Sequence, residues 1–152
     1  MRYFCILFLL LSACHFHPLY TNAKRQYVCV ESIPNEEGYY MYQQLQQYFP
    51  QKDECQYTLT VSAPQYGYSD QSISDKDFTT MQHIEANATY TLKDKNKNVV
   101  LKNTVSTNGS SAITSNPYAS VTGIQKTSQD LTTLLAEQIM LHVCAFLDEE
   151  DQ

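Results

Sequence analysis

Ile84-Glu85-Ala86-Asn87-Ala88-Thr89-Tyr90-Thr91-Leu92-Lys93 alternates apolar and polar residues along its whole length, the period-two pattern of a strand with one buried face. Asp94 to Asn98 follows as a charged turn and Val99 to Thr107 resumes as a strand, so the pair reads as an antiparallel hairpin. Upstream, Cys55, Tyr57, Leu59 and Val61 alternate with Gln56, Thr58, Thr60 and Ser62 in another half-buried strand that ends at Pro64. Tyr27 to Ile33 is rich in β-branched residues and stops at Pro34, giving a first strand. Between these two, Asn35 is placed as an N-cap and Glu36 and Glu37 suit a first helical turn. Met41, Tyr42, Leu45, Tyr48 and Phe49 then recur at helical spacing until Pro50, despite Gly38.

After the hairpin, Thr127 and Asp130 form a capping pair for a helix running to about Leu147. Two segments lack a clear period. Gln65 to Thr80 reads as a mobile loop or an irregular strand extension, and Gly109 to Gly123, which contains Asn116-Pro117-Tyr118, reads as a loop crossing to the final helix. The expected architecture is α+β, with two helices packed on a small mixed sheet of about four strands in the order β-α-β-β-β-α. The first crossover is expected to be right-handed and parallel.

In the final helix, Leu131, Leu135, Ile139, His142, Val143 and Phe146 fall on one stripe, the natural core face. Leu134, Leu141 and Cys144 fall on the opposite side, and a helix apolar on two sides is usually sandwiched. The stripe Leu134, Leu141 and Cys144 is therefore a candidate partner-facing surface, the alternative being that the loop Gly109 to Gly123 folds over it.

The chain has 152 residues, enough for one domain. With 43% hydrophobic and 17% charged residues it can bury a core and is no disordered tract. A net charge of −6 argues against nucleic acid, whose phosphates call for clustered positive charge.

Met1-Arg2 supplies a positive charge, and Tyr3 to Leu11 is an apolar run too short for a membrane span. Leu11-Ser12-Ala13-Cys14 then resembles a bacterial lipobox, in which the cysteine is acylated after cleavage. On this reading residues 1–13 are a lipoprotein signal peptide and Cys14 carries the covalent lipid. Residues 14–26 are an extended tether, 27–147 the single domain and 148–152 an acidic tail. Several acyl chains on one cysteine anchor a protein stably to a membrane without spanning it.

Cys29, Cys55 and Cys144 remain in an oxidising periplasm. Cys29 and Cys55 either pair, if their strands are neighbours, or stay as buried free thiols. No Cys-x-x-Cys spacing, P-loop, nucleophile elbow or His-Glu-x-x-His occurs, so no catalytic residue and no metal set is assigned and the chain is not expected to be an enzyme. His15 and His17 are wet tether residues, and His83 and His142 are expected to be structural histidines. A hydrolase would need a concave site converging on His83 or His142 with a nucleophile. Lys93, Lys95, Lys97 and Lys102 gather around the hairpin turn as edge protection or as a candidate contact for an anionic lipid headgroup.

Cys14-His15-Phe16-His17-Pro18-Leu19-Tyr20 resembles the start of alphaproteobacterial LptE-type lipoproteins of lipopolysaccharide (LPS) assembly. The resemblance continues through Tyr57-Thr58-Leu59-Thr60-Val61, Ala88-Thr89-Tyr90-Thr91-Leu92, Val99-Val100-Leu101, Asn116-Pro117-Tyr118-Ala119 and Leu135-Ala136-Glu137-Gln138-Ile139, in family order. It implies an outer-membrane lipoprotein on the periplasmic side that plugs the LptD β-barrel, aids its assembly and assists delivery of LPS to the outer leaflet. His15 after the acylated cysteine, where Asp would signal inner-membrane retention, fits that location. The chain departs from the family at Met81-Gln82-His83 and His142, where members often carry basic residues. An alternative from another class is an auxiliary lipoprotein of a lipid-transport ABC system.

Overall fold

In the computed structural model, which describes residues 25, 27–51, 54–72 and 80–149, the chain runs β1 (Val28–Val30), α1 (Glu36–Tyr48), β2 (Tyr57–Val61), β3 (Gln65–Ser72), β4 (Thr80–Asp94), β5 (Val99–Ile113) and α2 (Pro117–Glu149). This is the expected α+β arrangement of two helices on one mixed sheet, with β3 as an additional strand. The segments read as signal peptide and tether, Cys14 included, lie outside the described residues except for Arg25.

β4 is the spine of the sheet. β5 lines one edge of it from Thr80↔Ile113 to Lys93↔Val99, while β2 and β3 share the other edge end to end. β2 and β3 behave as one strand broken at Ser62, Ala63 and Pro64, and the pairing register slips by one residue across the break. Pro64 has no N–H to offer a ladder. Ser62 bridges the gap instead: its N–H donates to the Thr89 carbonyl at 2.8 Å and its Oγ accepts the Thr89 N–H at 3.0 Å. β1 adds to β2 in parallel, Val28 opposite Tyr57, through the α1 crossover.

The alternation read in residues 84–92 is the alternation observed. Ile84, Ala86, Ala88, Tyr90 and Leu92 are all buried under the helices, joined by Met41, Leu45 and Phe49 from α1 and Leu135, Ile139 and Val143 from α2. Burying each of the larger of these side chains contributes about 1.5–3 kcal/mol.

Asn35 stands at the α1 N-cap, but for a different reason than capping. Its side chain makes no capping bond; instead it adopts φ 74°, ψ 165°, a positive-φ conformation that L-residues rarely take, and its carbonyl accepts the Tyr39 N–H at 2.9 Å. The chain needs that kink to turn Ile33 under the helix. Gly38 is buried there, and a Cβ on it would sit 2.6 Å from Ile33 Cγ2 and 3.3 Å from the Ile33 backbone carbon. Helix propensity alone would favour Gly38→Ala by about 1 kcal/mol. Because the β-branched Ile33 cannot retreat, the substitution is expected instead to destabilise by about 1–3 kcal/mol in urea denaturation. A gain in stability would show that α1 can slide away from β1.

The final helix corrects the sequence reading most. It starts at Pro117, not near Thr127, and β5 runs on to Ile113, so the expected loop from Gly109 to Gly123 is almost entirely strand and helix. Asn116 is the cap, its Oδ1 accepting the N–H groups of Tyr118 at 3.1 Å and Ala119 at 3.4 Å, with Pro117 in the first helical position. Thr127 caps nothing and donates its hydroxyl to the Gly123 carbonyl at 3.0 Å. Gly123 lets the helix approach β5 closely, since a Cβ there would lie 2.9 Å from Ser111 Oγ. At the other end the helix includes Asp148 and Glu149, which the sequence reading assigned to the tail. α2 is long and apolar enough to cross a bilayer, but half of its most apolar stretch is buried inside the fold, as in a core helix.

Candidate partner-binding surfaces

Among the described residues, the helices cover one face of the sheet and leave the other open. Paired residues share a face, so Thr58, Thr60, Asn87, Thr89, Thr91 and Thr104 all point away from the helices. The face is built mainly from short hydroxyl and amide side chains that bond to each other. Thr89 Oγ1 and Thr104 Oγ1 are 3.0 Å apart, and Thr60 Oγ1 donates to Glu31 Oε2 at 2.8 Å.

Cys29 lies on this same side of β1 and is bonded to Cys55, with the two Cα atoms 5.6 Å apart. The alternative of two buried free thiols is thereby settled in favour of the pair. Strands β1 and β2 are neighbours, as that pairing requires.

The lysines divide between face and turn. Lys93 and Lys102 lie on the open face, the first half-buried and the second exposed, while Lys95 and Lys97 project from the hairpin turn. The turn is closed by Asp94, whose Oδ1 accepts the Asn98 N–H at 2.8 Å and whose Oδ2 accepts the Asn98 side-chain amide at 3.0 Å. The Asn98 side-chain bond above all holds the Asp94 carboxyl below its ordinary range, so one anion sits among the four cations at neutral pH. Lys97 carries the turn's positive φ of 65°.

The outer stripe of α2 is not the surface the sequence suggested. Leu134 is 44% exposed, but Cys144 is only 6% exposed and belongs to the core, and Leu141 is half-buried against it. His142, placed on the core face by its spacing, is exposed. The buried arc is wider than one sheet requires because α2 also packs against α1, to which Thr133 is tied through Tyr40 Oη at 3.5 Å. The second apolar stripe is thus covered largely from within, and of the three stripe residues Leu134 alone is exposed. Burial pushes the Cys144 thiol up in pKa, opposed by the adjacent Arg25, so the free cysteine stays protonated.

Tyr90 connects core and surface. Its ring is fully buried, yet its hydroxyl lies 2.9 Å from His142 Nδ1 at the helix edge. His83 lies on the open face of β4, opposite Ser69 and Ser110.

A groove that the sequence reading missed lies between the first turns of α1, strand β3 and the amino-terminal half of α2, with a volume of about 570 Å³. Glu36, Glu37, Tyr39 and Tyr40 form one wall, and Tyr66 and Tyr68 the floor. Val121, Ile124, Gln125 and Gln129 close the α2 side. Neither His83 nor His142 lines it. The groove exists because α2, about 50 Å long at 1.5 Å per residue, outruns the roughly 20 Å of α1 and leaves the end of β3 uncovered. Tyr66 is fixed there: its hydroxyl donates to the Ser128 carbonyl at 3.3 Å and meets Thr132 Oγ1 at 2.5 Å. Burial chiefly, with the negative charge of Glu37 adding, keeps this phenol un-ionised.

No protein-family model and no curated protein matches the chain. Solved structures do. A candidate lipoprotein from Caulobacter crescentus CB15 superposes with a TM-score of 0.63 at 14% identity, covering 85% of this chain and 96% of that one. The minor lipoprotein from Acinetobacter baumannii gives 0.61 at 16% identity, covering 79% and 92%. The rare lipoprotein B from Shewanella oneidensis gives 0.65 at 7% identity, covering 82% and 100%. At such identities the likeness is one of fold, and the fold of this chain is that of bacterial lipoproteins spanning most of its length.

Proposed function

We propose that the chain is an outer-membrane lipoprotein, anchored on the periplasmic side through lipid on Cys14, that partners and plugs an LptD-like β-barrel. In this reading it aids the barrel's assembly and the delivery of lipopolysaccharide to the outer leaflet, and it acts without catalysis. The open face of the sheet carries the proposal. A face made mainly of hydroxyls and amides with a few charged residues, uncovered by any described helix, is poorly suited to a hydrophobic interface and well suited to the polar lumen of a large barrel. Shared fold with bacterial lipoproteins supports the anchoring, and the disulfide suits an oxidising periplasm. Lys93, Lys95, Lys97 and Lys102 crowd one end of that face, where they would meet lipid phosphates.

The test is to purify the full-length chain through a C-terminal tag from outer membranes in mild detergent and wash with salt. A near-stoichiometric large β-barrel is the expected companion. Recovery of an inner-membrane transporter would favour the lipid-transport auxiliary instead, and recovery of the chain alone would leave only the fold.

A further inference from the structure

The tyrosine groove is chemically unlike the rest of the surface. Among the described residues its lining holds two carboxylates, Glu36 and Glu37, and no Lys, Arg or His. Four tyrosine rings stand around them. Tyr66 and Tyr68 lie 6.5 Å apart between ring centres at a 33° tilt, and Tyr40 and Tyr66 have their hydroxyls tied back to Thr133 and to Ser128 and Thr132. With those hydroxyls engaged, what these two rings can offer a ligand is π surface. Tyr39 at 58% and Tyr68 at 52% exposure form an open rim. Rings whose faces carry negative potential, backed by carboxylates, attract organic cations and repel phosphates.

We propose that this groove is a recognition site for a basic side chain, the guanidinium or ammonium of an Arg or Lys presented by a protein partner. The cation would lie over the ring faces of Tyr66 and Tyr68 with its charge toward Glu36 and Glu37, while Val121 and Ile124 take the apolar neighbours of the inserted residue. The open rim suits a side chain carried on a folded surface or extended segment. The same chemistry directs lipid phosphates away from this end of the molecule and toward the lysine hairpin. The site does not depend on the partner being a barrel, since a peptide titration needs no barrel present.

The test uses the full-length chain in octaethylene glycol dodecyl ether micelles with 13C-labelled tyrosine rings, titrated with acetyl-Leu-Arg-Leu-amide. Saturable shifts are expected at Tyr39, Tyr66 and Tyr68, weakening as salt is raised. The isosteric but neutral citrulline peptide should bind about tenfold more weakly, and so should the Arg peptide to the E36Q/E37Q variant. Tyr68→Ala, which removes an exposed ring without touching the start of α1, should weaken binding comparably and guards against a folding defect in the double variant. Equal binding of the Arg and citrulline peptides, or no shift with either, overturns the proposal. Tighter binding of the neutral sugar maltotriose than of the Arg peptide also overturns it, reassigning the groove to carbohydrate.

Discussion

Replacing Cys29 and Cys55 together by Ala is expected to lower the unfolding free energy by about 3.5 kcal/mol, from the loop entropy released when a 26-residue separation is no longer closed. For a domain of this size that is roughly 12 to 15 °C in Tm. The closed loop is the whole β1–α1–β2 crossover, and β1 contributes only three residues to the sheet. Without the bridge, β1 would be held by its parallel pairing to β2 and by Val28 and Val30 in the core. The loss should therefore appear first in hydrogen exchange at β1, with the β4–β5 hairpin unaffected until global unfolding. Denaturation in urea followed by circular dichroism, with and without reductant, measures it. A difference below about 1 kcal/mol would mean that the bridge does not restrict the unfolded chain by the full loop entropy, or strains the native chain enough to offset it.

Tyr90→Ala should cost about 3–5 kcal/mol, whereas Tyr90→Phe should cost only about 1 kcal/mol. The ring sits fully buried on β4, between Val61 and Asn103 of the flanking strands, so truncation opens a cavity between sheet and helices. The hydroxyl bonds to His142 Nδ1 and to the Asn103 side chain, both exposed residues, so water replaces these partners without leaving a buried group unpaired. Comparing the two variants by urea denaturation separates ring from hydroxyl. Equal losses would mean that the Tyr90–His142 bond, not packing, holds the helix edge to the sheet.

The histidine illustrates where sequence periodicity stops being informative. Residues 139, 142, 143 and 146 lie within one helical arc, and a stripe centred on them places His142 inside and Cys144 outside. The arc that is buried is centred nearer Ala136, Met140 and Val143, because α1 covers a flank of α2 as well as the sheet covering its face. Periodicity reports that a helix has an apolar side; how many neighbours share that side is decided by packing. The same limit concealed the first turns of α2. Ser, Thr and Asn compete with the backbone for hydrogen bonds and read as loop. In the folded chain Thr122, Thr127, Thr132 and Thr133 each return their hydroxyl to a carbonyl four residues earlier, so the segment is helical without leaving those groups unsatisfied.

By itself the sequence determined the features that depend on near neighbours in the chain: the β4–β5 hairpin, the buried face of β4 from Ile84 to Leu92, the α1 helix between Asn35 and Pro50, and the α+β class. Each follows from a period of two or 3.6 set by backbone geometry, which any apolar core will select. Only the tertiary structure decided the rest. That β2 and β3 share one edge of β4, that Cys29 reaches Cys55, that Gly38 is needed under Ile33, and that α2 overhangs α1 to leave a tyrosine groove are relations between residues distant in sequence. They depend on which surfaces meet, and no local pattern of residues records that choice.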